Sequence, residues 1–258
     1  MAEDPETVFA ANRRYWDRST PQKMDHGSYP LAAFRAGEST LFDHEREAVG
    51  EVSGRSLLHL QCNNGLETLS WAREGADAVG VDISGESLRV ARELAAESGL
   101  DADFVQCNVY DVADALDREF DVVYTARGVL GWLPDLDGWA DAVARSLADD
   151  GVFYLFEGHP LVHSFDGDLD PARSYFETGP RERTESDFGA DERHFLTHHR
   201  LSDVVTALAA AGLRVEFLRE HPFDYWRRWD RMVRDDAGRW RLPDDPIPLT
   251  FSLRARPA

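Results

Sequence analysis

The sequence predicts an α/β fold on a doubly wound, mainly parallel sheet. From Ser56 onward, short apolar runs alternate with longer amphipathic stretches, the pattern of strands joined by crossover helices. A chain of 258 residues, 43% hydrophobic and 11% aromatic, can also bury one large core.

The elements follow in order. SLLHL (Ser56 to Leu60) reads as the first strand, and Leu66 to Glu74 as the helix after it, ended by Gly75. AVGVDI (Ala78 to Ile83) is the second strand. Glu86 to Ser98 is the next helix, with Leu88, Ala91, Leu94 and Ala95 on one face and Gly99 as its stop. DFVQC (Asp103 to Cys107) is the third strand and FDVVYT (Phe120 to Thr125) the fourth, nearly all apolar as expected where both faces are covered. A helix over Asp135 to Leu147 precedes the fifth strand, GVFYLFE (Gly151 to Glu157). Leu201 to Ala211 is helical, RVEFLRE (Arg214 to Glu220) is the sixth strand, and PLTFSLRAR (Pro248 to Arg256) the last. The division expected is a single domain over 1–258: an N-terminal helical cover (1–52), a core (53–157), and two insertions on the substrate side (158–200 and 222–245). The second insertion is rich in Trp and Arg, including Tyr225, Trp226, Trp229 and Trp240.

Charge narrows the function. Acids number 48 against 28 bases, a net charge of −20, and Lys23 is the only lysine. Such a surface stays hydrated in concentrated salt, where repulsion is screened beyond roughly 3 Å at 1 M, so a halophilic origin is expected. It also repels phosphate backbones, which argues against nucleic acid as a partner. No run of eighteen apolar residues occurs and the N-terminus is acidic, so neither a membrane span nor a secretory signal is expected, and the cytoplasm is the expected location. Cys62 and Cys107 are too few for a disulfide framework and read as packing residues.

Open α/β sheets bind ligands at the carboxyl ends of their strands, near the point where strand order reverses. After the first strand, HLQCNNGLET must turn tightly into a helix, with Gly65 allowing close backbone approach and the helix N-terminus suited to a carboxylate. After the second strand, Asp82 is placed to accept hydrogen bonds from a ribose diol. The competing reading of Asp82 is a helix N-cap, a task Ser84 could take instead.

At these residues the chain resembles the class I S-adenosylmethionine (SAM)-dependent methyltransferases. In that family the first strand ends in an acid followed by Gly-x-Gly-x-Gly. Here His59 stands at the acid position, Gln61 and Asn63 replace the first two glycines, and Gly65 remains. LLHLQCNNGLETLSWAREGA is similar to a branch with a Leu-His-Leu-Gln-Cys run before the final glycine. The similarity extends to NRRYWD, YTARGVLGWLPDL, FYLFEGHP and LPDDPIPLTFSLRA.

The resemblance implies a Rossmann-like SAM-methyltransferase fold, with a seven-strand, mostly parallel sheet whose last strand is antiparallel. It implies that His59, Leu60, Gln61, Cys62 and Gly65 surround the methionine part of SAM, that Asp82 holds the ribose, and that Ile83 flanks the adenine. Asn108 and Val109 would contact the adenine, with turn formation the competing reading of Asn108. Thr125 would line the methyl side.

Methyl transfer from a sulfonium needs alignment more than covalent help. Aromatic faces favour the cation, which marks Tyr15, Trp16 and Tyr29 as a cover over the cofactor, unless they only pack a helix on the core. Arg127 and Trp132, after the fourth strand, are candidates for binding a small-molecule methyl acceptor. A general base would suit an acceptor hydroxyl; of His26, His159, His163 and His199, the one directly beyond the fifth strand is His159.

No metal is expected. Asp166, Asp168, Asp170 and Glu177 have calcium-loop spacing, but Pro171 stands where a glycine is needed. His194, His198 and His199 are spaced for one helical face without an H-E-x-x-H motif. The alternatives in function are a catalytically degenerate SAM-binding protein, suggested by the lost glycines, and a nicotinamide-dependent oxidoreductase, disfavoured by the absent G-x-G-x-x-G turn.

Overall fold

Four of the five residues of SLLHL are buried because their strand, β1 (Ser56–Leu60), lies between two others in the middle of a seven-strand sheet. The computed structural model describes residues 3–25, 29–184 and 192–258. Three helices come first: α1 (Pro5–Asp25), α2 (Leu31–Arg35) and α3 (Asp43–Val49). β1 is followed by α4 (Leu66–Arg73), β2 (Asp77–Asp82), α5 (Gly85–Ser98), β3 (Asp103–Gln106), α6 (Val112–Leu116), β4 (Phe120–Ala126), α7 (Leu136–Arg145) and β5 (Leu147–Gly158). Then come β6 (Gly179–Arg183), β7 (His194–His198), α8 (Leu201–Ala210), β8 (Leu213–His221), β9 (Phe223–Asp224), β10 (Val233–Arg234), β11 (Trp240–Arg241) and β12 (Thr250–Pro257).

The main sheet has the order β3-β2-β1-β4-β5-β12-β8. β1 pairs in parallel with β2 and β4, and β4 with β5, while β12 runs antiparallel to both β5 and β8. The seven strands and the single reversed last strand are those the resemblance implied. Strand order reverses between β1 and β4, which is where a crevice opens at the carboxyl ends.

The alternation of β5 divides the core. Phe153 and Leu155 pack with Val123, Trp139, Val143 and Leu208 on the α7–α8 face. Tyr154 and Phe156 pack with Trp71 and Tyr124 on the α3–α4 face. Trp139 is fully buried, so truncating it to Ala would cost about 3–5 kcal/mol. The helix signals also act as read. Ser84 caps α5 by accepting from the Ser87 N–H at 3.0 Å, and Gly99 closes that helix with φ 63°.

Three features depart from the sequence reading. α6 was not expected between β3 and β4. The 158–200 stretch contains the hairpin β6–β7, and 222–245 contains the small antiparallel sheet β10-β11-β9. His194 and His198 therefore lie on a strand and not on a helical face. Their ring nitrogens meet the Glu192 and Tyr175 carbonyls, and that of His199 meets the Leu133 carbonyl at 2.7 Å. Asp166 closes its own turn by accepting from the Asp168 and Asp170 N–H groups. No helix among the described residues is long and apolar enough to cross a membrane.

Candidate active site

The carboxyl ends of β1, β2, β4 and β5 open into one cleft of about 1730 Å³. Sites for a single small ligand run to about 300–1,000 Å³, so this cleft has room for two molecules side by side.

The turn after β1 keeps a glycine-like path without most of its glycines. Gln61 and Asn63 have φ of 55° and 49°, and Gly65 of 75°. Asn tolerates this left-handed region, whereas Gln61 holds it against Cβ strain. Gly65 itself does not line the cleft. A Cβ there would lie 2.7 Å from the Ala91 Cβ and 2.8 Å from the Phe104 ring, so this glycine lets α4 approach α5 and β3, and the expected approach to a ligand is replaced by protein packing. Leu60 is likewise fully buried in the core, outside the lining. Gln61 and Cys62 do line it, and the Gln61 Oε1 is buried with no hydrogen-bond partner.

Asp82 ends β2 with each carboxylate oxygen accepting one backbone N–H, Oδ2 from Asn63 and Oδ1 from Ser84, both at 2.8 Å. Each oxygen has a further lone pair, and the residue lines the cleft. Because Ser84 does the capping, the N-cap reading of Asp82 falls away. Burial pushes the Asp82 carboxyl up to about 6, against the pull of those N–H groups. His59, also in the lining, bonds the Thr68 hydroxyl at 2.8 Å. Burial first and the Arg127 charge second push it down to about 3, so it is neutral.

Ile83, Asn108 and Val109 form the outer wall beyond β2 and β3, where a second opening of about 410 Å³ lies between Ile83 and Asn108 on one side and Phe9 and Arg13 of α1 on the other. The Asn108 side chain caps the short turn that follows, accepting from the Tyr110 N–H at 3.5 Å, so its turn role is present.

α1 crosses this wall as a cover. Its Asp17 accepts from the Ser84 hydroxyl at 2.7 Å, and Thr20 meets Ser87 at 2.7 Å. Asn12 bridges to the Phe195 backbone, accepting at 2.8 Å and donating at 3.2 Å. These bonds seat Tyr15 and Trp16 against Trp132, with ring centroids 5.2 and 4.9 Å away, and Tyr15 4.2 Å from His194. Tyr29 lines the cleft and points its hydroxyl at the Asn63 Oδ1, 3.4 Å away.

Beyond β4 and β5 the placement differs from the sequence reading. Thr125 is fully buried and outside the lining; Ala126 forms the wall there. Arg127 lines the cleft, but its two terminal nitrogens are committed to Glu45 (2.7 Å), Glu67 and the Thr40 carbonyl (2.8 Å), so it ties α3 to α4. His159 is the clearest correction. Its Nδ1 accepts from the Leu161 N–H at 3.1 Å and its Nε2 pairs with Glu220 at 2.9 Å. With both nitrogens engaged and the ring outside the lining, it caps a turn and has no geometry for a base.

Glu157 is buried and accepts from the N–H groups of Gly128, Val129, Leu130 and Gly158, which fixes the loop after β4. Sequence reasoning put Tyr225 in a substrate-side insertion without giving it a role of its own. A Cβ on Gly128 would sit 3.3 Å from its hydroxyl and one on Gly158 3.8 Å away, so the phenol stands between the ends of β4 and β5. Burial, then Glu157 and Asp224, push its pKa far above the usual phenol range, so it presents an O–H. The only signal for it was the unusual aromatic density of 222–245.

Comparison with known proteins gives the context. A methyltransferase-domain family profile matches residues 58–153. A ubiquinone biosynthesis O-methyltransferase from Klebsiella pneumoniae is 35% identical over 146 residues, 57% of this chain and 56% of that one. The chain thus matches little more than half the length of such relatives. Among solved structures, a SAM-dependent methyltransferase from Mesorhizobium loti superposes with a TM-score of 0.64 at 20% identity, covering 85% of this chain and 99% of the other. The glycopeptide N-methyltransferase MtfA, solved with SAM, gives 0.58 at 18% identity, over 83% and 92%.

Proposed function

We propose, for a chain with the class I SAM-dependent methyltransferase fold and that domain's sequence between residues 58 and 153, that it transfers the methyl group of SAM to a small molecule. The observation that carries this is Asp82, a buried carboxylate at the end of β2 that lines the cleft and accepts the N–H groups of Asn63 and Ser84 on separate oxygens. It would accept the sugar hydroxyls. Gln61, whose Oε1 lacks a partner, would take a donor from the amino-acid end. Ile83 and Val109 would flank the base, and Tyr15, Trp16 and Trp132 would exclude water from the sulfonium.

SAM supplies an electrophilic methyl group, so the residues across the cleft have only to orient a nucleophilic atom. The Tyr225 hydroxyl, between the ends of β4 and β5, is placed to donate to that acceptor. Gln61 and Asn63 hold the left-handed backbone that glycines usually serve, which favours a working turn over a degenerate one. Free Cys62 and Cys107 and the acidic composition fit a reducing cytoplasm.

Isothermal titration with SAM, in buffers from low to molar KCl, tests the reading. Saturable binding that Asp82→Ala weakens by about a hundredfold or more is expected; absence of binding at every salt concentration contradicts it.

A further inference from the structure

The far end of the cleft is basic on a chain whose net charge is −20. Arg181 and Arg183, two apart on β6, share its cleft face, while Glu182 between them turns outward to pair with Arg193 at 2.9 Å. Arg173 reaches the same space from the preceding loop, and Arg227, Arg228 and Arg234 line it from the second insertion. The acid lining this end is Asp236; of the cleft's other lining acids, Glu38, Glu67 and Asp82 belong to the cofactor side, and Glu157, at the end of β5, is engaged by the N–H groups of Gly128, Val129, Leu130 and Gly158.

The charges are only partly compensated. Arg181 pairs with Glu177, and the Arg228 Nε with buried Asp224 at 3.0 Å. Arg173, Arg183 and Arg234 have no carboxylate within ion-pair distance among the described residues. Neighbouring arginines lower the Arg173 value after burial does, so like charges already crowd one another there. His163 faces this space between Arg173, Arg183 and Arg228, and burial with their repulsion keeps it neutral, a donor or acceptor without charge. The Arg228 Nη2 lies 3.4 Å from where a Gly158 Cβ would be, so the basic end reaches the edge where transfer would occur.

We propose that the methyl acceptor is an anion whose carboxylate or phosphate docks among Arg173, Arg183 and Arg228, with its reacting atom toward Gly128 and Gly158. Clustered guanidinium groups at the open end of the cleft, Arg173 and Arg183 exposed and Arg228 half-buried, are stabilised by such a group, and bidentate arginine contacts fix its orientation. This rests on the methyltransferase reading above and specifies its substrate class.

Titrating benzoate, phenyl phosphate and uncharged benzamide into the protein saturated with S-adenosylhomocysteine (SAH), at fixed KCl, tests it. At least one anion is expected to bind about tenfold or more tighter than benzamide, and the better of the two identifies the group. Arg173→Ser/Arg183→Ser should lose that preference while SAH affinity stays unchanged, which also reports that the variant is folded. SAH binding with benzamide equal to both anions in the wild-type protein, or an undiminished anion preference in the double variant, overturns the proposal alone. Failure to bind SAH at all removes the methyltransferase reading and this proposal with it.

Discussion

Along β1 to β3 the cleft wall consists of residues at a strand end or within a few positions of one; across from it the wall comes from the 158–200 and 222–245 segments. The first side is held by main-chain bonds, such as Asn63 and Ser84 to Asp82, and by the pairing of parallel strands. The second is held by short sheets of two and three strands and by ion pairs between side chains. The difference teaches where change is tolerated. A substitution in the first side moves backbone that the whole sheet shares, whereas the second can exchange an arginine and keep its fold.

Arg127 ties α3 and α4 together behind the first side, and breaking it should give the largest effect. Arg127→Ala leaves Glu45 buried without its partner, so denaturant unfolding should show a loss of about 3–5 kcal/mol. Arg183→Ala, exposed on β6, should stay within about 0.5 kcal/mol of the wild-type protein by the same measurement. Equal losses would erase the contrast.

Asp82→Ala sharpens it from the other side. Removing two charge-assisted hydrogen bonds to the sugar should weaken SAM binding by about a hundredfold or more in titration, while anion binding at the arginine end persists. Acidity should act on the same group with opposite signs. The Asp82 value is raised from 3.8 to about 6, so its contribution to the stability of the free protein is greatest below pH 3.8 and is lost as pH rises through 6. Affinity needs the ionised form, so it should be flat above pH 6 and fall up to about tenfold per unit below it. Thermal melts and titrations across pH 4.5–8 read the two trends.

Smaller effects test single corrections. His159→Ala should cost about 1 kcal/mol through the lost cap and leave the pH profile of methyl transfer in place, which a general base could not do. Gln61→Gly should stabilise the protein by up to about 1 kcal/mol by relieving its left-handed φ, seen as a higher denaturation midpoint.

The same division explains what the sequence disclosed. SLLHL, the 86–98 helix with Ser84 before it and Gly99 after, and the position of Asp82 were legible because apolar period and caps are local signals. The hairpin β6–β7 was not, because its alternating charges, Glu182 on one face and the cleft-lining Arg181 and Arg183 on the other, resemble a solvated loop until a partner strand defines their faces. Arg127 and His159 sit at strand ends, where position alone suggests chemistry. Only three-dimensional neighbours, Glu45 and Glu67 for one and Glu220 for the other, reveal that the Arg127 terminal nitrogens and the His159 Nε2 are already engaged. Tyr225 reaches the strand ends from a segment about seventy residues beyond β5, a distance that no spacing rule covers. His26 lies outside the described residues.

A crystal structure of the protein with SAH tests the central claim most directly. The account predicts both sugar hydroxyls on the Asp82 carboxylate, the amino-acid end beside Gln61, and the sulfur beneath Trp16 and facing Tyr225. Bound SAH lying elsewhere, with Asp82 contacting only the amides of Asn63 and Ser84, would contradict it.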